Sequence, residues 1–143
     1  MIIRGTFKNK QEAVNNLVIE QTFFAENKAK DGVFQTDSGL QYEILHRSSN
    51  IEKASATSKV KVHYHGTLLN GDVFDSSVAR NEPIEFSLNQ VIKGWQEGLQ
   101  LMCEGDKFKF YIPSELAYGN RRVGKIPAGS LLVFEVELLG LAN

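Results

Sequence analysis

The apolar positions along the chain change period once, near Gly32. From about Asn9 to Lys30 they recur at helical spacing, with Val14, Leu17, Val18, Phe24 and Ala25 on one stripe. The spacing predicts one helix. Asn9 is its expected N-cap, with Glu12 three positions on as in a capping box, and Lys28 and Lys30 fall in the last turn before Gly32 ends it. Ile19 and Phe23 lie off the stripe, so a second side of the helix also has something to bury. Two readings stay open: the helix packs on its own domain, or it is an arm that pairs with another chain.

Beyond Gly32 the pattern is that of strands. Leu40 to Leu45 alternates, and Lys59 to Leu69 alternates more cleanly, with Val60, Val62 and Tyr64 pointing one way and Lys59, Lys61, His63 and His65 the other. Asn70-Gly71 reads as a hairpin turn, because both residues tolerate positive φ. A further apolar run starts at Val73, and Glu82 to Phe86 reads as a short strand opened by Pro83. Asn89 is placed to cap a helix from about Val91 to Leu101, which Gly105-Asp106 breaks. Strands follow over Lys107–Ile112 and Leu131–Leu139. The fold class is therefore α+β: a twisted, mostly antiparallel sheet with one short helix across a single face, preceded by the N-terminal helical arm.

Composition narrows this picture only slightly. At 143 residues and 42% apolar content the chain has enough material for one domain with a real core. A net charge of −1 gives no electrostatic reason to expect nucleic acid or an anionic membrane as partner. Cys103 is the only cysteine, so no intrachain disulfide forms, which fits a reducing compartment. No stretch reads as a signal peptide or a membrane-spanning helix, and the expectation is cytoplasmic; a periplasmic or organellar protein with its leader removed would look the same.

Candidate chemistry concentrates between Val62 and Trp95. The segments are Val62-His63-Tyr64-His65-Gly66, Asn70-Gly71, Val73-Phe74-Asp75-Ser76-Ser77 and Val91-Ile92-Lys93-Gly94-Trp95. This run resembles the signature of the FKBP-type peptidyl-prolyl cis-trans isomerases. The resemblance continues through Ala117-Tyr118-Gly119 and Leu132-Val133-Phe134-Glu135-Val136-Glu137-Leu138, covering roughly Ser38 to Leu141. The stretches Phe24-Ala25-Glu26-Asn27-Lys28 and Gly39-Leu40-Gln41-Tyr42 look like the junction in the bacterial Mip-like group, with a shortened N-terminal helical region. The resemblance implies a sheet wrapped around a short helix. It divides the chain into an N-terminal helical arm over residues 1–35, a dimerisation element by analogy with that group, and an isomerase domain over residues 36–143.

Prolyl isomerisation needs neither nucleophile nor cofactor, and no cofactor or metal is expected. The obstacle is rotation about an amide with a barrier of about 18–20 kcal/mol, and uncatalysed exchange takes roughly 10–100 s. Twisting the amide removes part of its charge separation, so an apolar pocket shaped for the twisted form favours rotation. The resemblance implies that Tyr64, Phe74, Ile84, Phe86, Val91, Ile92, Trp95, Tyr118, Ile126 and Phe134 line this pocket. It places Trp95 as the floor under the proline ring, and the Ile92 N–H and the Tyr118 hydroxyl as donors to substrate. It also implies that Tyr64, Phe74, Asp75 and Tyr118 form the catalytic set. The resemblance implies that Asp75 pairs with the Tyr64 hydroxyl and the supporting Arg80 guanidinium, and that it orients the pocket rather than acting as a base.

Taken singly, Phe86, Ile92, Trp95 and Phe134 are ordinary core residues, Asp75 a turn or cap residue, and Tyr118-Gly119 a loop. Their joint order and spacing carries the site. The expected partners are proline-containing polypeptides, macrolide immunosuppressants and a second copy of the chain through the N-terminal helix. The segment between Gly119 and Ile126-Pro127 is one residue shorter than is typical and carries Arg121, Arg122 and Lys125. Either this is a solvated basic loop, or it weakens macrolide contact and favours acidic residues beside the proline. His63 and His65 sit at i and i+2 without a third ligand nearby, so metal binding is not expected, and Cys103 lacks a partner that would activate it. Besides catalysis, a chaperone that holds apolar segments and a docking scaffold remain as readings.

Overall fold

The computed structural model describes the backbone of residues 2–143 and the side chains from residue 10 onward. Seven strands form one antiparallel sheet: β1 (Val33–Gln35), β2 (Gln41–His46), β3 (Lys59–Thr67), β4 (Val73–Ser76), β5 (Ile84–Ser87), β6 (Lys107–Ile112) and β7 (Leu132–Ala142). The spatial order is β1-β2-β6-β7-β3-β4. β5 runs along the first half of β3 and β4 along its second half. Three helices accompany the sheet: α1 (Ile2–Asn27), α2 (Ser77–Arg80) and α3 (Lys93–Leu99).

Period-two alternation builds the core. Val60, Val62 and Tyr64 of β3, Phe108, Phe110 and Ile112 of β6, and Leu132, Phe134, Val136 and Leu138 of β7 are all buried. They meet Trp95 and Leu99 of α3, with Leu88 and Met102 on either side of that helix. The approach of α3 is close because Gly94 and Gly98 face β6. A Cβ at Gly94 would lie 2.5 Å from Ile112 Cγ2, and one at Gly98 would lie 2.7 Å from Phe110 Cε1.

Two local expectations are corrected. Asn89 caps no helix; it lies in a 3-10 turn, Leu88–Gln90, framed by a Ser87/Gln90 capping box, and α3 starts only at Lys93 behind Ile92. The competing cap, Ser87, sits at the end of β5 and takes the chain into the turn first. At the β3–β4 connection Gly71 alone adopts positive φ (97°), while Asn70 uses its side chain to accept from the Asp72 N–H at 2.9 Å. The connection closes with Leu68 N–H donating to Asp72 O, and a register shift follows at Gly66/Thr67, as in a longer hairpin loop with a bulge.

The arm differs more from expectation. α1 begins at Ile2, so Asn9 lies inside the helix and is not its N-cap; the Asn9 side chain is outside the described residues. No proline interrupts the preceding residues, and the helix continues through them. It ends at Asn27, before Lys28 and Lys30, and turns lead on to Gly32. Most of the predicted apolar stripe faces solvent: Val14 is 58% exposed, Leu17 46% and Val18 59%, and Ala25 is also exposed, whereas Phe24 is half-buried. The docked side is instead largely polar. Asn16 Nδ2 donates to Ala128 O (2.8 Å), Glu20 accepts from the Ser114 N–H, and Asn27 Nδ2 donates to Gln41 Oε1 (2.9 Å). Phe23 adds one ring contact, 5.5 Å from Tyr111. Tyr111 alternates with Phe110 and Ile112, so this contact lies on the sheet face opposite α3.

Burial pushes the Glu20 carboxyl up from its ordinary value, and the Ser114 N–H offsets part of that shift. Among the described residues no helix is long and apolar enough to cross a membrane.

Candidate functional site

A cavity of about 970 Å³ opens between α3, the β3–β4 and β3–β5 edges and the loop after the 3-10 turn Ser114–Leu116. Its lining brings together all eleven residues singled out for catalysis or substrate contact: Tyr64, Phe74, Asp75, Ile84, Phe86, Val91, Ile92, Trp95, Tyr118, Ile126 and Phe134. Arg80, the expected support, is not part of the lining and reaches Asp75 from α2.

The inner wall is an aromatic cluster. Trp95, 5% exposed, lies 5.3 Å from Tyr64 and 5.1 Å from Phe134, both edge-on, and 5.5 Å from Phe86. Phe74 meets Phe134 edge to face at 5.3 Å. That pair needs Gly66 beneath it, since a Cβ there would stand 2.7 Å from both rings. The Trp95 Nε1–H is the one buried side-chain polar atom without a hydrogen-bond partner among the described residues. Packing alone therefore holds the indole.

The polar corner explains the Asp75-Ser76-Ser77 run. Ser76 ends β4 and caps α2, its Oγ accepting from the Ala79 N–H at 3.1 Å. Buried Ser77 accepts from the Tyr64 N–H at 2.7 Å, tying the start of α2 to β3. One turn later α2 delivers Arg80 to Asp75 in an ion pair. Asp75 Oδ2 accepts from the Tyr64 hydroxyl, and Arg80 Nη2 donates to the same hydroxyl at 3.1 Å. Sequence reasoning did not place α2, although a Ser followed three residues later by a cappable N–H is a usable signal.

Burial alone would raise the Asp75 carboxyl. Its side chain is 44% exposed, however, and the bonds from Tyr64 and Arg80 hold it below its ordinary 3.8. Asp75 is thus a half-exposed corner of the cavity and not a charge sealed among apolar walls. Burial pushes the Tyr64 hydroxyl up, and the bond to Asp75 adds to that shift.

Neither the Ile92 N–H nor the Tyr118 hydroxyl donates to a protein acceptor among the described residues. Tyr118 is set by Gly119, whose N–H donates to Ser114 O at 2.8 Å. Ile126 is presented by a tight turn in which Val123 and Ile126 exchange both backbone bonds. The three basic loop residues separate: Arg121 and Lys125 line the cavity, whereas Arg122 is held by Glu12 of α1 at 2.9 and 3.0 Å. Lys93 and Glu115, which the sequence reading did not single out, also line it.

His63 and His65 are engaged elsewhere, with Nδ1 at 2.8 Å from Ser77 Oγ and 2.9 Å from Ser76 Oγ respectively. Among the described residues no group of three or more His, Cys, Asp or Glu side chains is placed to hold a metal ion.

The family described as FKBP-type peptidyl-prolyl cis-trans isomerase matches residues 51–139. The domain amino terminal to FKBP-type peptidyl-prolyl isomerase matches residues 4–44. The chain is 52% identical to the FKBP-type peptidyl-prolyl cis-trans isomerase FkpA of Aeromonas hydrophila, over 94% of this chain and 50% of that protein. It is 52% identical to the FKBP-type 22 kDa peptidyl-prolyl cis-trans isomerase of Escherichia coli, over 82% of this chain and 57% of that protein. The chain therefore spans about half the length of these relatives. The crystal structure of FkpA from Escherichia coli superposes with a TM-score of 0.91 at 38% identity, covering 95% of this chain and 63% of that one.

The signs of the two shifts give a pH prediction. Asp75 pairing contributes stability above its ordinary pKa and loses it as pH falls through the lower folded value. The contribution of the Tyr64 proton is present below 10.0 and is lost as pH rises through the raised folded value. The fluorescence of Trp95, the only tryptophan, should then be flat from about pH 5 to 9. An acid-side change should be present in the wild type and diminished in Asp75→Asn. A transition between about pH 6 and 8 that Asp75→Asn abolishes would contradict this assignment.

Proposed function

The chain belongs to the FKBP-type peptidyl-prolyl cis-trans isomerases, and on that premise we propose that it accelerates rotation of X-Pro bonds in unfolded or flexible polypeptides. The observation that carries the reading is an aromatic cavity with a single ion-paired polar corner. No Ser, Thr, Cys or His lines it among the described residues, and rotation about an amide needs none. In this reading Trp95, Phe86 and Phe134 receive the proline ring, and Phe74 and Ile126 flank it. Val91 and Ile84 close the rim. The Ile92 N–H and the Tyr118 hydroxyl donate to substrate carbonyls, and both are free of protein acceptors among the described residues.

Rotation is favoured because the planar amide, with its larger charge separation, loses more on leaving water than the twisted amide does. Asp75, Tyr64 and Arg80 form a rigid corner against which the substrate carbonyl region is oriented. A carboxylate held below its ordinary pKa is a poor proton acceptor, which supports orientation over base catalysis. The same cavity would admit macrolide immunosuppressants, with Arg121 and Lys125 placing charge where such a ligand would extend. Holding of apolar segments by the arm or the pocket would accompany turnover.

Two substitutions test the roles. Trp95→Leu removes the floor without stranding a hydrogen-bond acceptor, and Asp75→Val removes the corner. Each should lower kcat/KM on short X-Pro peptides by about tenfold, the size of one lost contact of about 1.4 kcal/mol in the transition state, while the fold persists by circular dichroism. Near wild-type turnover in both would misplace the site. If the wild type does not accelerate any X-Pro peptide yet suppresses aggregation of a denatured protein, the holding reading replaces the enzyme reading.

The exposed stripe supports the second proposal, that α1 pairs with a second copy. Val14, Leu17 and Val18 are more than two-fifths exposed in the structure. Sedimentation of the full chain should show a dimer that Leu17→Lys with Val18→Lys converts to monomer. A monomeric wild type would remove the proposal.

A further inference from the structure

The rim of the cavity carries a charge imbalance that its apolar floor does not need. Lys93 stands at the start of α3, Arg121 lies just before the turn that presents Ile126, and Lys125 lies within it. All three are exposed and line the cavity, and none makes an ion pair among the described residues. Two acidic residues share the lining. Asp75 is already neutralised by Arg80, so Glu115 alone opposes three cations.

The arrangement of the loop keeps two of these cations at the rim. Arg122 is drawn to Glu12, and the same carboxylate accepts from the Ala128 N–H at 3.3 Å while Asn16 donates to Ala128 O. The arm thus grips the loop at residues 122 and 128, on either side of the Val123–Ile126 turn. Of the three basic residues in the segment, the grip withdraws one from the cavity and leaves Arg121 and Lys125 there.

We propose that this rim selects polypeptide segments with an acidic residue within two positions of the proline, Arg121, Lys125 and Lys93 pairing with the carboxylate while the ring sits on Trp95. The proposal rests on the isomerase reading and names its substrate class. Unpaired cations around a low-dielectric cavity concentrate anionic ligand, and the attraction is screened by salt because the charges face solvent. Exposed pairs contribute little singly, so two or three acting together correspond to roughly a three- to tenfold preference.

The test uses the full chain and matched peptides with Glu, Gln, Leu or Lys beside proline. Turnover and binding are measured in parallel, binding through the fluorescence of Trp95. At low salt the Glu peptide should exceed the Gln peptide by roughly three- to tenfold in kcat/KM and in affinity, with the Lys peptide lowest. The Glu-to-Gln ratio should fall toward one at about 1 M salt, where the screening length is about 3 Å. It should fall likewise in Arg121→Gln with Lys125→Gln, and it should be kept by Arg121→Lys with Lys125→Arg. Equal handling of Glu and Gln peptides by the wild type, a ratio that survives high salt, or a ratio unchanged in the double Gln variant would each overturn the proposal. Absence of turnover on every peptide, the Leu peptide included, would strike the isomerase reading alone. The Glu-to-Gln affinity ratio would still decide the rim.

Discussion

The absence of side chains at Gly94 and Gly98, on the face of α3 turned toward β6, is the constraint from which the rest of the structure follows. Gly94 and Gly98 let the helix settle onto Ile112 and Phe110 at distances that no Cβ would allow. With the helix axis that close, Trp95 is driven edge-on against Tyr64 and Phe134 and becomes a buried floor. The residues before the helix, Val91 and Ile92, are left at the rim with the Ile92 N–H pointing to no protein acceptor among the described residues. A bulkier helix face would lift the floor, open the aromatic contacts and turn a shaped cavity into a shallow depression. Gly66 plays the same part on the sheet side, where the Phe74–Phe134 pair fills the space of its missing side chain.

Against that apolar frame the polar corner is assembled almost entirely by local chain geometry. Within six residues, Asp75 to Arg80, the chain ends a strand, caps a one-turn helix and returns a guanidinium to the carboxylate it has just passed. Buried Ser77 fixes that turn to the backbone of Tyr64, the third member of the corner. The corner is half-exposed, so its ion pair is screened and adds little to stability. Its consequence is geometric: it gives one edge of a greasy cavity a fixed direction.

How far the sequence disclosed this depends on what kind of interaction sets each element. The strands were legible because alternation records which face is buried: β3 and the first two-thirds of β7 follow it residue by residue, while β6 departs from it at Tyr111, which is buried on the opposite face beside Phe23 of α1. The cavity lining was legible through resemblance, and the residues so named do converge on one cavity. Contacts made by polar groups across long sequence separations left no periodic trace. The Val14, Leu17 and Val18 stripe left open whether α1 packs on its own domain or on another chain, and gave no sign that α1 docks through Glu12, Asn16, Glu20 and Asn27, whose partners lie farther along the chain. The choice of Arg122 over Arg121 as the residue held by the arm is of the same kind. Asn89 had the right chemistry for the expected cap, but Ser87 and Gln90 took the local hydrogen bonds first, and Asn70 serves its turn through its side chain, accepting from the Asp72 N–H, and not through a positive φ.

The claim on which this account rests is that the glycine face of α3 sets the depth of the floor. Gly98→Ala tests it most directly, with thermal unfolding, Trp95 fluorescence and X-Pro turnover measured on the same preparation. A methyl group 2.7 Å from the Phe110 ring should cost about 1–3 kcal/mol of stability, alter the indole environment and lower turnover together. A Gly98→Ala variant with wild-type melting, emission and turnover would show that the floor does not depend on this contact.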